Sequence, residues 1–154
     1  MRISAKADYA VRALAQLAQD GTDGPVKAER VATEQDIPLK FLLGILRELK
    51  HARLVRSTRG PEGGYELHRP AGEITLADVI RAVDGPLASV RDLSLTDLTY
   101  PGPAEPLAEV WMAVRSSLRS VLESITLADL VADQLPPHVR KLAADYRSDT
   151  RYVR

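Results

Sequence analysis

Between Lys27 and Arg69 the chain sets a short helical segment, a tight turn, a longer amphipathic helix and a glycine-rich hairpin in immediate succession, and few folds accommodate that order. Residues around Lys27 to Gln35 have helical spacing that buries Val31 and Ala32. The turn Asp36-Ile37-Pro38 then leads into a helix over 38–52, with Pro38 as its first residue. Leu42, Ile45, Leu46 and Leu49 recur at spacings of three and four and form its core face, while Lys40, Leu43, Gly44, Arg47 and His51 share the other side. Glycine inside a helix costs ~1 kcal/mol relative to alanine. Gly44 therefore marks either close helix packing or the close approach of a ligand surface such as a DNA groove.

Immediately afterwards, Leu54-Val55-Arg56-Ser57-Thr58-Arg59 and Tyr65-Glu66-Leu67-His68-Arg69 read as two short strands joined by Gly60-Pro61-Glu62-Gly63-Gly64. A glycine-rich loop can also cradle nucleotide phosphates. That geometry needs a strand running straight into a helix N-terminus, preferably with a Lys-Ser/Thr pair, and neither is present. The expected class is mostly α with a small β-hairpin, a winged helix-turn-helix.

The flanking segments complete it. Ser4 caps a first helix over about 4–19, with Tyr9, Ala10, Ala13, Leu14 and Leu17 at helical spacing, and the loop Asp20-Gly21-Thr22-Asp23-Gly24-Pro25 ends it. After the hairpin, Thr75 caps a fourth helix with Asp78 three residues on, and Asp84-Gly85-Pro86 stops it. The phrase Ile74-Thr75-Leu76-Ala77-Asp78 nearly recurs as Ile125-Thr126-Leu127-Ala128-Asp129, which reused capping chemistry explains better than a repeat architecture. Residues 1–84 are expected to form the winged domain and 85–106 a proline-rich linker. From Leu107 to about Ser124, Leu107, Val110, Trp111, Val114, Leu118, Val121 and Leu122 form an apolar stripe that a second copy of the chain would cover, which makes 107–135 a dimerisation region. Residues 136–154 should hold a last helix, Pro137 to Tyr146, and a fraying basic tail.

Charge and composition narrow the function. The 21 basic residues balance 21 acidic ones, so net charge points to no partner, but 12 basic and 9 acidic residues precede position 70. Between Lys40 and Arg69, Lys40, Arg47, Lys50, Arg53, Arg56, Arg59 and Arg69 face only Glu48, Glu62 and Glu66. A basic stretch on a helix and hairpin suits phosphate contact. The absence of cysteine excludes disulfides, thiolate metal sites and a cysteine nucleophile. No run approaches the ~18 apolar residues of a spanning helix, and the N-terminus does not read as a signal peptide, so a cytoplasmic location is expected.

The phrases Met1-Arg2-Ile3-Ser4-Ala5-Lys6-Ala7-Asp8-Tyr9-Ala10-Val11-Arg12-Ala13-Leu14, Ile37-Pro38-Leu39-Lys40-Phe41-Leu42, Leu46-Arg47-Glu48-Leu49 with Leu54-Val55, Arg59-Gly60-Pro61-Glu62-Gly63-Gly64-Tyr65-Glu66-Leu67 and Glu73-Ile74-Thr75-Leu76-Ala77-Asp78-Val79-Ile80 with Val83-Asp84-Gly85 resemble the Rrf-two family of bacterial winged-helix regulators. That family includes the iron–sulfur cluster regulator, the nitric-oxide-sensing repressor and the cysteine-metabolism repressor. The resemblance implies a homodimer on double-stranded DNA, with helix 38–52 in the major groove and the hairpin toward the adjacent minor groove. Residue chemistry agrees with those roles. Lys40 lies in the first helical turn, where groove readers meet base edges, Phe41 is placed for a thymine methyl or the sugars, and Arg47 follows two turns on. Arg59, ahead of the Gly60-Pro61 turn, suits a narrow minor groove, and Arg56, Lys50 and Lys6 suit phosphates. Gly63 and Gly64 are expected to let the tip turn and its backbone approach DNA.

Two departures from the family pattern matter. Cluster-binding members carry three cysteines between the fourth helix and the dimer helix, and Ala88 to Glu105 has none, so no iron–sulfur cluster and no other cofactor is expected. Many relatives have Glu-Gln where this chain has Leu43-Gly44, so their operator sequences do not transfer.

Other chemistry finds little support. His51, His68 and His138 lack metal-ligand spacing, and no metal site is expected. No catalytic constellation stands out, so the chain is not read as an enzyme. Tyr100 and Trp111 are candidates to line a small-molecule effector pocket, although aromatic residues at such positions are usually core. The alternative from another class is a protein-interaction regulator that docks onto a metabolic enzyme or another regulator. Salt separates the two, because binding through phosphates weakens steeply with added salt.

Overall fold

The computed structural model describes residues 1–149 and 151. Helix α1 (Ala5–Asp20) runs through the middle of the fold, and its sequence explains why it can. Ser4 accepts a hydrogen bond at Oγ from the Ala7 N–H (2.9 Å), closing the first turn. Ala7, Ala10 and Ala13 are fully buried beside Leu14 and Leu17, and these small side chains let neighbouring helices approach on several sides. The buried Gln16 is satisfied by Asp20 (2.8 Å) and Gln35 (2.7 Å), which also ties α1 to the next helix.

Helix α2 (Ala28–Gln35) and helix α3 (Leu39–His51) form the helix-turn-helix. Asp36 makes the left-handed turn between them, at φ 51°. Pro38 stands one place earlier than expected, capping α3 from outside while its carbonyl accepts from the Leu42 N–H (2.9 Å). Leu42, Ile45, Leu46 and Leu49 are all buried, as the spacing requires. Strands β1 (Val55–Thr58) and β2 (Gly64–Leu67) pair antiparallel with Arg56 opposite Glu66. Val26 adds a third, single-residue rung through reciprocal backbone hydrogen bonds with Tyr65 (2.9 and 2.8 Å), which no sequence pattern announced.

Helix α4 (Leu76–Asp84), long helix α5 (Leu107–Leu122), short helix α6 (Leu127–Val131) and terminal helix α7 (Pro137–Ser148) complete the chain. The expected fraying of the tail through Arg154 falls largely outside the described residues. Two findings revise the expected division. The segment 85–106 is not a bare linker, because it makes short 3-10 turns and buries Leu87, Leu95 and Leu98. The core of the winged domain also does not end at residue 84, since Leu127 from α6 is fully buried in the same cluster as Leu14, Leu46 and Val79. Two backbone hydrogen bonds (2.9 Å each), Leu76 N–H to the Ile125 carbonyl and Leu127 N–H to the Ile74 carbonyl, fasten that return.

Helix α5, like α7, departs from this burial. None of its residues is buried, and Val110 at its apolar stripe is 50% exposed. It is held to α4 by Arg81 and Glu123, with Arg119 adding a second cation to the same carboxylate at 2.9 Å. Arg119 first and Arg81 second hold the Glu123 carboxyl below the usual range.

Candidate nucleic-acid interface

The exposed face of α3 is built by the same periodicity that buries its leucines. Lys40 and Arg47 are exposed, and Phe41 is 48% exposed. Phe41 is steadied by an edge-on contact with Tyr9 (ring centroids 5.7 Å apart, planes at 81°), so α1 fixes the rotamer of an aromatic ring on α3. A Cβ at Gly44 would meet nothing within 4 Å. Close packing within the chain therefore does not explain this glycine, and the shallow apolar cleft beside it, of about 420 Å3, is open. Lys6, Lys40 and Phe41 border that cleft, so cations and an apolar surface share one face.

The other sequence-predicted residues are positioned by specific contacts. Lys6 Nζ pairs with the Glu48 carboxylate (3.3 Å), which neutralises the acidic group on α3 nearest this face. Lys50 Nζ donates to Ser57 Oγ (2.8 Å), joining the C-terminal end of α3 to β1. Arg56 Nε is engaged by Glu66 (3.2 Å) through their cross-strand register. Lys27 Nζ, not foreseen from sequence, donates to the Gly60 carbonyl (3.2 Å) and anchors the hairpin loop to the start of α2. Arg59 is exposed at the loop, and no ion pair to it occurs among the described residues. Gly60 takes the left-handed region at φ 102°.

Gly63 and Gly64 serve the turn of the hairpin, the first of their two expected roles. A Cβ at Gly63 would lie 2.1 Å from the Thr58 carbonyl oxygen, and one at Gly64, at φ 151°, 2.5 Å from the Val26 carbonyl oxygen. The close approach that these glycines permit is to the chain's own backbone, where the hairpin folds on itself and Val26 pairs with Tyr65.

The remaining candidates lie elsewhere. Tyr100 carries the Arg91 guanidinium over its ring (5.8 Å), and Trp111 buries its indole N–H without a hydrogen-bond partner. His138 reaches the Ser120 carbonyl (3.0 Å) and Ser124 Oγ (3.2 Å), joining α7 to α5. Among the described residues no group of three or more His, Cys, Asp or Glu side chains is arranged to hold a metal ion. No helix among them is long and apolar enough to cross a membrane.

Residues 3–133 match the family model Rrf2, described as an iron-dependent transcriptional regulator. Iron–sulfur clusters are held by thiolates or a comparable donor set; this chain has no cysteine, and no such grouping occurs among the described residues. The chain is 57% identical over 148 residues to Rv1287 of Mycobacterium tuberculosis strain H37Rv, whose name places it among HTH-type transcriptional regulators, covering 96% of this chain and 92% of that one. The structure of CymR, the global cysteine regulator of Bacillus subtilis, superposes with a TM-score of 0.72 at 32% identity, covering 86% of this chain and 97% of CymR. The structure of T. potens IscR gives a TM-score of 0.68 at 36% identity over 86% and 88% of the two chains. The chain belongs to the Rrf2 family, whose members are DNA-binding helix-turn-helix transcriptional regulators and not enzymes.

Proposed function

We propose that this chain is a homodimeric repressor that occupies a roughly palindromic operator in the cytoplasm and works without an iron–sulfur cluster. The observation that carries the DNA-reading part is the α3 face: Lys40, the braced Phe41 and Arg47 stand exposed around a glycine whose missing side chain serves no packing purpose within the chain. Helix α3 enters the major groove with Lys40 at base edges, Phe41 toward a thymine methyl and Gly44 admitting the groove wall. Arg59 inserts into the neighbouring minor groove, and Lys50 and Lys6 contact phosphates. Arg56 exchanges Glu66 for a phosphate or contributes only to the hairpin.

The apolar stripe of α5 supports the dimer, because sixteen helical residues with none buried leave a face without cover in one chain. A two-fold pair of such domains places recognition helices ~34–36 Å apart, or a multiple of that. Repression is the simpler outcome, since occupying a promoter blocks polymerase without a further contact. The switch is then a small molecule, a protein partner or the abundance of the regulator itself.

The test is binding of purified protein to genomic fragments, its own promoter included, across a salt series, beside a Lys40→Ala, Arg59→Ala double variant. Selective, salt-sensitive binding that the variant loses is the expected result. Equal binding by variant and wild type, insensitive to salt, replaces this reading with docking onto an enzyme or a second regulator.

A further inference from the structure

The segment after α4 folds back over α5 and leaves a cleft of about 430 Å3 between them. Its polar wall is Ser89, Asp92, Ser94 and Arg115, and its apolar wall is formed by Pro86, Ala88 and Leu93. Arg115 is the unusual member. Its Nε is buried with no hydrogen-bond partner, and no ion pair to its guanidinium occurs among the described residues. A buried donor on a charged group without an acceptor is costly, and a guanidinium presents a planar fork that matches a carboxylate.

Asp92 lines the same cleft as an exposed carboxylate, and among the described residues it makes no hydrogen bond or ion pair, with Arg115 or with any other group. One cation and one anion thus stand unpaired on a shared cavity. The backbone presenting Asp92 is strained: Ala88, Arg91 and Asp92 all take the left-handed region at φ 52°, 52° and 57°. The last two are the central residues of a turn closed by the Leu93 N–H and the Val90 carbonyl (3.0 Å). Such conformations in residues with side chains persist only where the surroundings fix them, and they gather at ligand sites.

We infer that this cleft binds a zwitterionic α-amino acid, its carboxylate on Arg115, its ammonium on Asp92, and its side chain against Pro86, Ala88 and Leu93. Ser89 and Ser94 supply hydroxyls to the carboxylate, with Ser94 already oriented by Thr96 (2.8 Å). A ligand held this way bridges the 86–94 segment to α5, which Glu123 couples to α4 of the winged domain. Binding itself is independent of the proposed repressor function, and only its consequence for DNA rests on that reading.

The experiment is calorimetric titration of the full chain with each standard L-amino acid at millimolar concentration, followed by titration of any binder's analogues lacking the amine or the carboxylate. Arg115→Gln and Asp92→Asn are titrated in parallel, and all three proteins are melted. At least one amino acid is expected to bind, with both analogues and both variants weakened by about tenfold or more. Arg115→Gln is expected to melt no lower than wild type, because it removes a buried Nε–H that lacks an acceptor. Absence of binding by every amino acid, undiminished binding in both variants, or equal binding of the deaminated acid overturns the assignment. Amino-acid binding as expected in a protein that selects no DNA fragment, with or without the ligand, leaves this site standing and removes the repressor reading instead.

Discussion

Thr75 and Thr126 face each other across a single antiparallel bridge, and each caps the helix that follows it. The Thr75 side chain accepts from the Asp78 N–H (3.1 Å) while Asp78 accepts from the Thr75 N–H (3.0 Å), and Thr126 and Asp129 repeat the exchange at 3.1 and 2.9 Å. The recurrence in the sequence is thus a pair of matched helix starts docked on one another, which brings α6 back onto the winged domain. Thr126→Ala is expected to lower stability by about 1 kcal/mol, read as a fall in the denaturation midpoint with an unchanged slope.

The same cap makes stability depend on pH. The Thr126 backbone N–H first, and its side chain second, hold the Asp129 carboxyl below its ordinary value. A depressed carboxyl contributes stability that is fully present above the unfolded value of about 4 and lost as pH falls through the folded one. Asp129→Asn should therefore show a shallower loss of stability than wild type on acidification below about pH 4. Acid titrations of the two proteins by circular dichroism check this, and superimposable curves would remove the cap from this role.

Leu127 joins the fully buried core from beyond the long helix. Leu127→Ala should cost about 2–5 kcal/mol and unfold the winged domain in the same transition, because the cavity opens against α1. A loss confined to the C-terminal region, with the helix-turn-helix still melting at the wild-type midpoint, would mean that α6 is a separate unit.

Two glycines should behave oppositely. At Gly64 an alanine Cβ meets the Val26 backbone at 2.5 Å in a left-handed backbone, so Gly64→Ala is expected to destabilise by more than about 1 kcal/mol. At Gly44 the space is empty and the backbone helical, so Gly44→Ala should stabilise by ~1 kcal/mol while weakening DNA binding. Stability and affinity measured together separate a folding role from a contact role.

What the sequence made legible follows from interaction range. The α3 core face, Ser4, the two threonine caps and the hairpin are set by residues within a few positions of one another, and each appears where spacing places it. The Val26 rung, the Thr75 to Thr126 bridge and the burial of Leu127 join segments far apart in the chain, which periodicity does not report. Gly63 and Gly64 were recognisable as necessary, but their necessity lies in strand crowding. Arg115 was invisible as a site residue, because only the fold brings the 86–94 segment to line a cleft with it.

The lysines on the proposed DNA face should separate into two kinds. Lys50 is tied to Ser57 at the edge of the hairpin, suited to a phosphate, whereas Lys40 opens the first turn of α3. Lys50→Ala should weaken binding to all fragments alike and lower the salt slope by about 1. Lys40→Ala should reorder the preferred sequences by about 1–3 kcal/mol at one base pair of each half-site. A uniform effect of both would leave base reading to other residues.

Helix α5 presents an apolar stripe with no buried residue. Val110 is 50% exposed on a stripe that also carries Leu107, Val114, Leu118 and Val121. An apolar stripe of this length repeating at helical spacing is a self-complementary surface for a two-fold pair. A charge placed there gains nothing in the monomer and must be desolvated in the proposed dimer, so Val110→Glu should prevent its assembly with little change in the fold of each chain. Sedimentation at several concentrations reads the assembly state, and near-wild-type circular dichroism confirms that the chains stay folded. Operator affinity should fall with it, because a lone domain loses the effective concentration that linkage to a second half-site provides. A variant that remains dimeric would move the interface away from α5, and the exposed Leu142 and Tyr146 on α7 would be the next positions to charge.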